Sequence, residues 1–214
     1  MYALCSYIAT LVLMQEDTSL DYTSPPCPSK IMAGEAGPTK WLGKCAAKVI
    51  GVKPDQVWQA LSDFCNGHEW FPDMHTCRKV EGDDGQAGLI RYCTGLRKSV
   101  VKPADGQGEV RVVRTVVWAY ERLTVVDPRK MQVSYEVLEN NMGLSSYVAT
   151  MRVVPAAGKG GAGAAGCRIE WDFVCDPIVG SWKSARAYEK FLRFNLLAMA
   201  RKLEGRFRPI AARI

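Results

Sequence analysis

The alternation of apolar and polar positions changes period several times along the chain. Trp41 to Gly51 alternates every second residue, as a strand does. Pro54-Asp55 then supplies a helix-start signal, with proline in the first turn. Val57, Trp58, Leu61 and Phe64 recur at helical spacing, and Cys65–Phe71 predicts a second brief helix that closes at Pro72. Strand-like runs follow at 76–81, 88–96, 109–120, 122–127, 130–138, 145–155 and 167–175. Turn chemistry separates several of them: Gly82-Asp83-Asp84-Gly85, Asp127-Pro128, Asn140-Asn141 and a glycine-rich stretch at 158–166. From 179 to 205 the period becomes helical again. Ala185, Tyr188, Leu192, Leu196, Met199 and Leu203 form one apolar stripe on a helix about 40 Å long.

This order predicts an α+β fold: a curved antiparallel sheet of about seven strands wrapped around a long C-terminal helix, with two short helices after the first strand. Such a sheet has one apolar face, and the terminal helix is the element that covers it. A curved sheet around a single helix is hard to fill completely, so an internal cavity is expected. Three ionisable residues interrupt the apolar runs that would wall it. Arg91 shares a strand face with Leu89 and Cys93, Glu121 with Val117 and Ala119, and Tyr147 with Ala149 and Met151. A guanidinium, a carboxylate and a phenol on apolar faces are costly unless paired, hydrated or used. Converging faces would make them an acid/base set with a cationic anchor. Strand-end exposure or a structural ion pair is the competing reading for each one alone.

Composition narrows the class. With 214 residues, 48% of them hydrophobic, the chain can build one domain with a substantial core, or two very small ones. The net charge of +6 is mild. Part of it lies in the tail, where Arg201, Lys202, Arg206, Arg208 and Arg213 face only Glu204, the pattern of a solvated helix end rather than a polybasic membrane anchor. No basic stripe interleaves with surface aromatics, so nucleic-acid binding is not expected. Eight cysteines contain no C-x-x-C pair, and several sit in apolar segments, where a reduced thiol acts as a small hydrophobe. Cys65, His68, His75 and Cys77 lack zinc-ligand spacing. A reducing, cytoplasmic setting and no metal are expected. The glycine-rich stretch lacks the Gly-Lys-Ser/Thr ending of a phosphate loop and reads as a hairpin tip.

Met1–Met14 is apolar but has no basic flank, no clear cleavage site before Gln15-Glu16-Asp17, and too little length to span a bilayer. Residues 15–31 are polar and proline-bearing, and Met32 opens an ordinary protein start. Residues 1–31 are therefore expected to be an upstream extension. The division is 1–39 as a disordered or non-native extension and 40–208 as the folded domain.

Several local motifs carry a family resemblance: Lys40-Trp41-x-Gly43-Lys44, Pro54-x-Gln56-x-Trp58, Asp63-Phe64, His68, Pro72 and Cys77. They continue in Gly88-x-x-Arg91-Tyr92, Trp118-Ala119-x-Glu121-x-Leu123, Tyr147-x-Ala149-Thr150-Met151 and Trp171. Over roughly residues 40–205 the chain resembles the plant START-like, or helix-grip, superfamily of birch pollen allergens and major latex proteins. More closely it is similar to the lachrymatory-factor synthases and their polyketide cyclase/dehydrase-like homologues. The resemblance implies that Arg91, Glu121 and Tyr147 line a cavity and convert an alkenyl sulfenic acid to a thial S-oxide. Trp118, Tyr135 and Trp171 match substrate-binding aromatic positions beside it. A carboxylate there can shuttle a proton from S–OH to carbon, while the arginine and the phenol stabilise the developing S–O dipole. Neither metal nor organic cofactor is required. The implied partner is a small hydrophobic or reactive ligand bound by a monomer. Other superfamily members instead imply non-catalytic binding or transport of a hydrophobic plant metabolite, hormone or lipid. One departure is a polar insertion at Lys102–Gly108. As a longer hairpin it leaves the site intact, whereas a one-residue slip would turn Glu121 off the cavity face.

Overall fold

Parity and capping account for the first elements of the computed structural model, which describes residues 39–101, 109–156, 166–180 and 182–207. Strand β1, Trp41–Ile50, buries Cys45, Ala47 and Val49 and turns the residues between them outward. Helix α1, Pro54–Ser62, starts with proline in its first turn, and the Gln56 side chain accepts the Lys53 N–H. Its inward face is Val57, Ala60 and Leu61. A 3₁₀ segment, Phe64–Glu69, follows directly. Then come β2 (Met74–Glu81), β3 (Ile90–Val101), β4 (Arg111–Asp127), β5 (Gln132–Asn140), β6 (Val148–Pro155), β7 (Gly166–Cys175) and helix α2 (Ala185–Phe207). Every one of these elements lies within one unit, Gly37–Ile214. The expectations for residues 1–31, for the insertion at Lys102–Gly108, for nearly all of the glycine-rich stretch and for Arg208 and Arg213 fall outside the described residues.

The strands form a single antiparallel sheet in the order β1-β7-β6-β5-β4-β3-β2. Strands β2 to β7 make a meander, and β1 closes the far edge beside β7. Register shifts in the β2–β3 and β4–β5 ladders bend the sheet into a curled half-barrel. Tyr188, Leu192, Leu196, Met199 and Leu203 of α2 are all buried in the common core, as their spacing predicts. The expected helix-grip α+β architecture is the one observed.

Three local differences matter for the site. The runs at 109–120 and 122–127 are one strand, because Glu121 is satisfied by a partner within the sheet and does not end it. The β3–β4 ladder runs without a shift from Ile90↔Arg122 to Val101↔Arg111, so the residues flanking the insertion keep Glu121 on the inner face. Regular pairing in the 145–155 run begins only at Val148, since Ser146 takes a left-handed backbone conformation (φ 48°). Tyr147 nevertheless keeps the inward parity of Ala149 and Met151, and its carbonyl accepts the Val137 N–H.

Candidate functional site

Strand parity delivers the central pair. Positions 91 and 93 of β3 point into the core, as do 119, 121 and 123 of β4. Arg91 and Glu121 are direct cross-strand partners. The guanidinium donates through Nε at 2.7 Å and Nη2 at 2.6 Å, both to Glu121 Oε2. Its Nη1 donates to the Phe64 carbonyl, presented where α1 passes into the 3₁₀ segment. The Phe64 ring lies flat under the cation, 3.7 Å from Cζ, and the Tyr135 ring stands 5.7 Å away. Arg91 is only 5% exposed. Burial works against its charge, but the adjacent Glu121 carboxylate more than offsets that and holds the guanidinium above its ordinary value.

Beside this pair is a small pocket that opens to solvent. Its wall takes in Phe64, Phe71, Arg91, Tyr135, Met151 and Met199, drawn from the 3₁₀ region, β3, β5, β6 and α2. The lining is largely apolar, with Arg91, Asp63 and the Tyr135 hydroxyl as its main polar side chains. Burial first, then the nearby Glu121 charge, pushes the Tyr135 phenol well above its ordinary value, so it acts as a neutral donor.

The other expected site residues divide into two groups. Tyr147 is 2% exposed, with its ring 6.4 Å from that of Tyr135 and 6.1 Å from that of Tyr188. Its buried hydroxyl makes no hydrogen bond of good geometry, the Tyr188 phenol being the neighbour placed to share its proton. Burial, reinforced by Tyr188 and Tyr135, keeps that phenol protonated far above its ordinary range. Trp171, opposite Met151 in the β6–β7 ladder, meets the pocket-lining Phe71 edge-on at 5.5 Å. Its Nε1 is buried and unpartnered. Both side chains therefore stand next to the pocket wall.

Trp118 does not join them. Its even position on β4 turns it to the opposite face from Glu121, where it packs with Tyr92 and Tyr120 under Arg78. That corrects its assignment as a pocket residue: one step along a strand reverses the side chain.

Two features escape a reading of the sequence. The Phe64 carbonyl is a backbone group, signalled only by the Asp63-Phe64 motif. Gly67 is the other: a Cβ there would stand 3.1 Å from Arg91 Nη1 and 3.0 Å from Met74 Sδ, so the bare backbone leaves room for the guanidinium. Among the described residues no group of three or more His, Cys, Asp and Glu side chains is placed to hold a metal ion. None of the described helices is long and apolar enough to cross a membrane.

The model of a family described as polyketide cyclase / dehydrase and lipid transport matches residues 46–204. Among solved structures, the chain is similar to ginseng major latex-like protein 151 from Panax ginseng, at 20% identity and TM-score 0.54. That match covers 79% of this chain and 99% of the other. It is also similar to the protein XoxI from Bacillus cereus, at 18% identity and TM-score 0.53 over 78% and 94% of the two chains. A protein from Thermobifida fusca gives 18% identity and TM-score 0.53 over 77% and 93%. At these identities the solved structures attest the fold alone.

Proposed function

Because the chain belongs to the polyketide cyclase / dehydrase and lipid transport family, we propose that it binds a small, mainly hydrophobic molecule between its sheet and its terminal helix. The observation that carries this reading is a buried guanidinium in the wall of an otherwise largely apolar pocket. A guanidinium offers five N–H donors, and Glu121 with the Phe64 carbonyl engages three. The remainder would meet a ligand acceptor. The Tyr135, Tyr147 and Trp171 donors would orient the ligand's polar end, while Phe71, Met151 and Met199 enclose its apolar body. Native mass spectrometry of the purified protein, followed by displacement of a fluorescent apolar probe, tests this. Wild type should retain or take up an apolar ligand, and the double variant Arg91→Met/Glu121→Leu should bind at least about tenfold more weakly, the equivalent of one charge-assisted hydrogen bond. Equal affinity in both proteins would sink the assignment of the polar end.

A second reading adds chemistry. Both Arg91 contacts fall on Oε2 of Glu121, so a proton exchanged with a bound molecule would sit on Oε1. Under it, Glu121 takes the S–OH proton of an alkenyl sulfenic acid and returns it to carbon, giving a thial S-oxide. Arg91 and Tyr147 would support the developing S–O dipole. The full chain would be coupled to an alliinase that generates 1-propenesulfenic acid, with product followed by mass spectrometry. Product from wild type but not from Glu121→Gln is the expected result. Equal rates would remove Glu121 from the chemistry, and no product from either would leave the binding reading alone.

A further inference from the structure

Cys77 and Cys93 are direct partners across the β2–β3 ladder, with their Sγ atoms 2.9 Å apart. Partners in such a ladder have Cα atoms about 4.5–5.5 Å apart, within the separation a disulfide accepts. Both thiols adjoin the site. Cys93 lies two residues from Arg91 on the same face, and Cys77 Sγ donates at 3.7 Å to the Phe64 carbonyl that also accepts Arg91 Nη1. Strand β2 is an edge of the sheet, and Cys77 is half-buried while Cys93 is buried. A soluble oxidant therefore reaches Cys77 first.

We propose that Cys77 and Cys93 are an oxidative modification site, closing to a reversible cross-strand disulfide on exposure to a peroxide or a low-molecular-weight disulfide, and that closure alters the adjoining pocket. The coupling to the pocket rests on the ligand-binding reading, whereas the disulfide does not. With peroxide, the Cys77 thiolate attacks one oxygen, the O–O bond breaks, and a sulfenic acid forms as hydroxide leaves and is protonated to water. Cys93 then attacks the Cys77 sulfur, its proton passing to the departing hydroxide. The S–S bond forms, the S–O bond breaks, and a second water departs. Two thiols have become one disulfide, and one peroxide has been reduced to two waters. The order of attack follows from the surroundings. The hydrogen bond from Cys93 and then the Arg91 charge hold the Cys77 thiol below its ordinary value against the opposing effect of burial. Closure removes the S–H that Cys77 gives to Phe64, leaves that carbonyl to Arg91, and staples the edge strand to β3.

The full chain would be reduced, exposed to graded hydrogen peroxide or glutathione disulfide, alkylated and mapped. The expected result is loss of the mass of two hydrogen atoms and a crosslinked peptide pair holding Cys77 and Cys93, reversed by dithiothreitol. Cys93→Ser should abolish the crosslink and leave a sulfenic acid or glutathione adduct on Cys77. Two results would overturn the site: both thiols staying alkylatable while other cysteines oxidise, or Cys77 pairing with the half-buried Cys65. Affinity for an apolar fluorescent probe is then compared in the two mapped states. A change of about fivefold or more, the low end of ordinary coupling between sites, is expected. A mapped bridge with unchanged affinity overturns the coupling and leaves the modification site standing. A probe that binds neither state counts against the pocket and not against the bridge.

Discussion

The buried Arg91 organises the inner face of the sheet. Arg91 is stable there because three groups compensate for its lost hydration: the Glu121 carboxylate, the Phe64 carbonyl and the Phe64 ring. Removing one partner strands the other charge, so Arg91→Ala should lower the unfolding free energy by about 3–5 kcal/mol. The double variant Arg91→Met/Glu121→Leu should recover most of that loss, because an apolar pair of similar volume has no charge to desolvate. Denaturant midpoints of the three proteins check both statements, and a double variant as weak as Arg91→Ala would contradict them. Tyr147 behaves in the opposite sense. Its buried hydroxyl makes no hydrogen bond of good geometry, so Tyr147→Phe should leave stability unchanged or raise it by about 1 kcal/mol. The same variant should weaken binding of any ligand that uses the hydroxyl. A clear loss of stability would mean that the hydroxyl is bonded in solution, with Tyr188 the nearest phenol to supply the bond.

At the scale of elements, the β1–β7 ladder shows why a strand interior keeps a glycine. Gly43 pairs with Phe173, whose ring lies over it, and a Cβ there would stand 2.3 Å from Phe173 Cε1. The ring has little room to retreat, being stacked 6.0 Å from Tyr147 and met edge-on by Tyr188 at 5.1 Å. Gly43→Ala should therefore cost about 1–3 kcal/mol as overpacking. The aromatic near-ultraviolet circular dichroism should change with it, and an unperturbed spectrum at wild-type stability would show that the ring moves freely. Elements of this kind were legible in the chain to different degrees. The stripe on α2 and the inward parity of Arg91, Glu121 and Tyr147 follow from local periodicity, which survives folding unchanged. Parity also puts Trp118 opposite Glu121, and the family resemblance pointed the wrong way there. What stayed hidden is pairing. Arg91 meeting Glu121, and Cys77 meeting Cys93, depend on register between strands, to which the periodicity within one strand is blind.

For the whole molecule, burial favours the neutral forms of the thiols and phenols packed on the inner face, in contrast to the ion-paired Arg91 and Glu121. Burial raises the thiols of Cys45 to about 12 and of Cys167 and Cys175 to about 11. The phenols of Tyr135, Tyr147 and Tyr188 are raised as well, burial leading in each. A group raised in the folded state favours folding fully below its unfolded value and loses that contribution as pH climbs towards the folded one, because the unfolded chain releases its proton first. Stability should thus begin to fall near pH 9, as unfolded thiols ionise, and fall faster above about pH 10, as unfolded phenols join them. Each such group adds a slope of up to about 1.4 kcal/mol per pH unit. Denaturant midpoints at about pH 7.5, 9 and 10.5 measure the decline, and tyrosinate absorbance identifies its source. The buried phenols should ionise only together with the loss of circular dichroism. If all the tyrosines titrate in an ordinary range while the fold persists, the inner face admits water freely. The pocket wall would then be wet rather than apolar, and the case for a hydrophobic ligand would weaken with it.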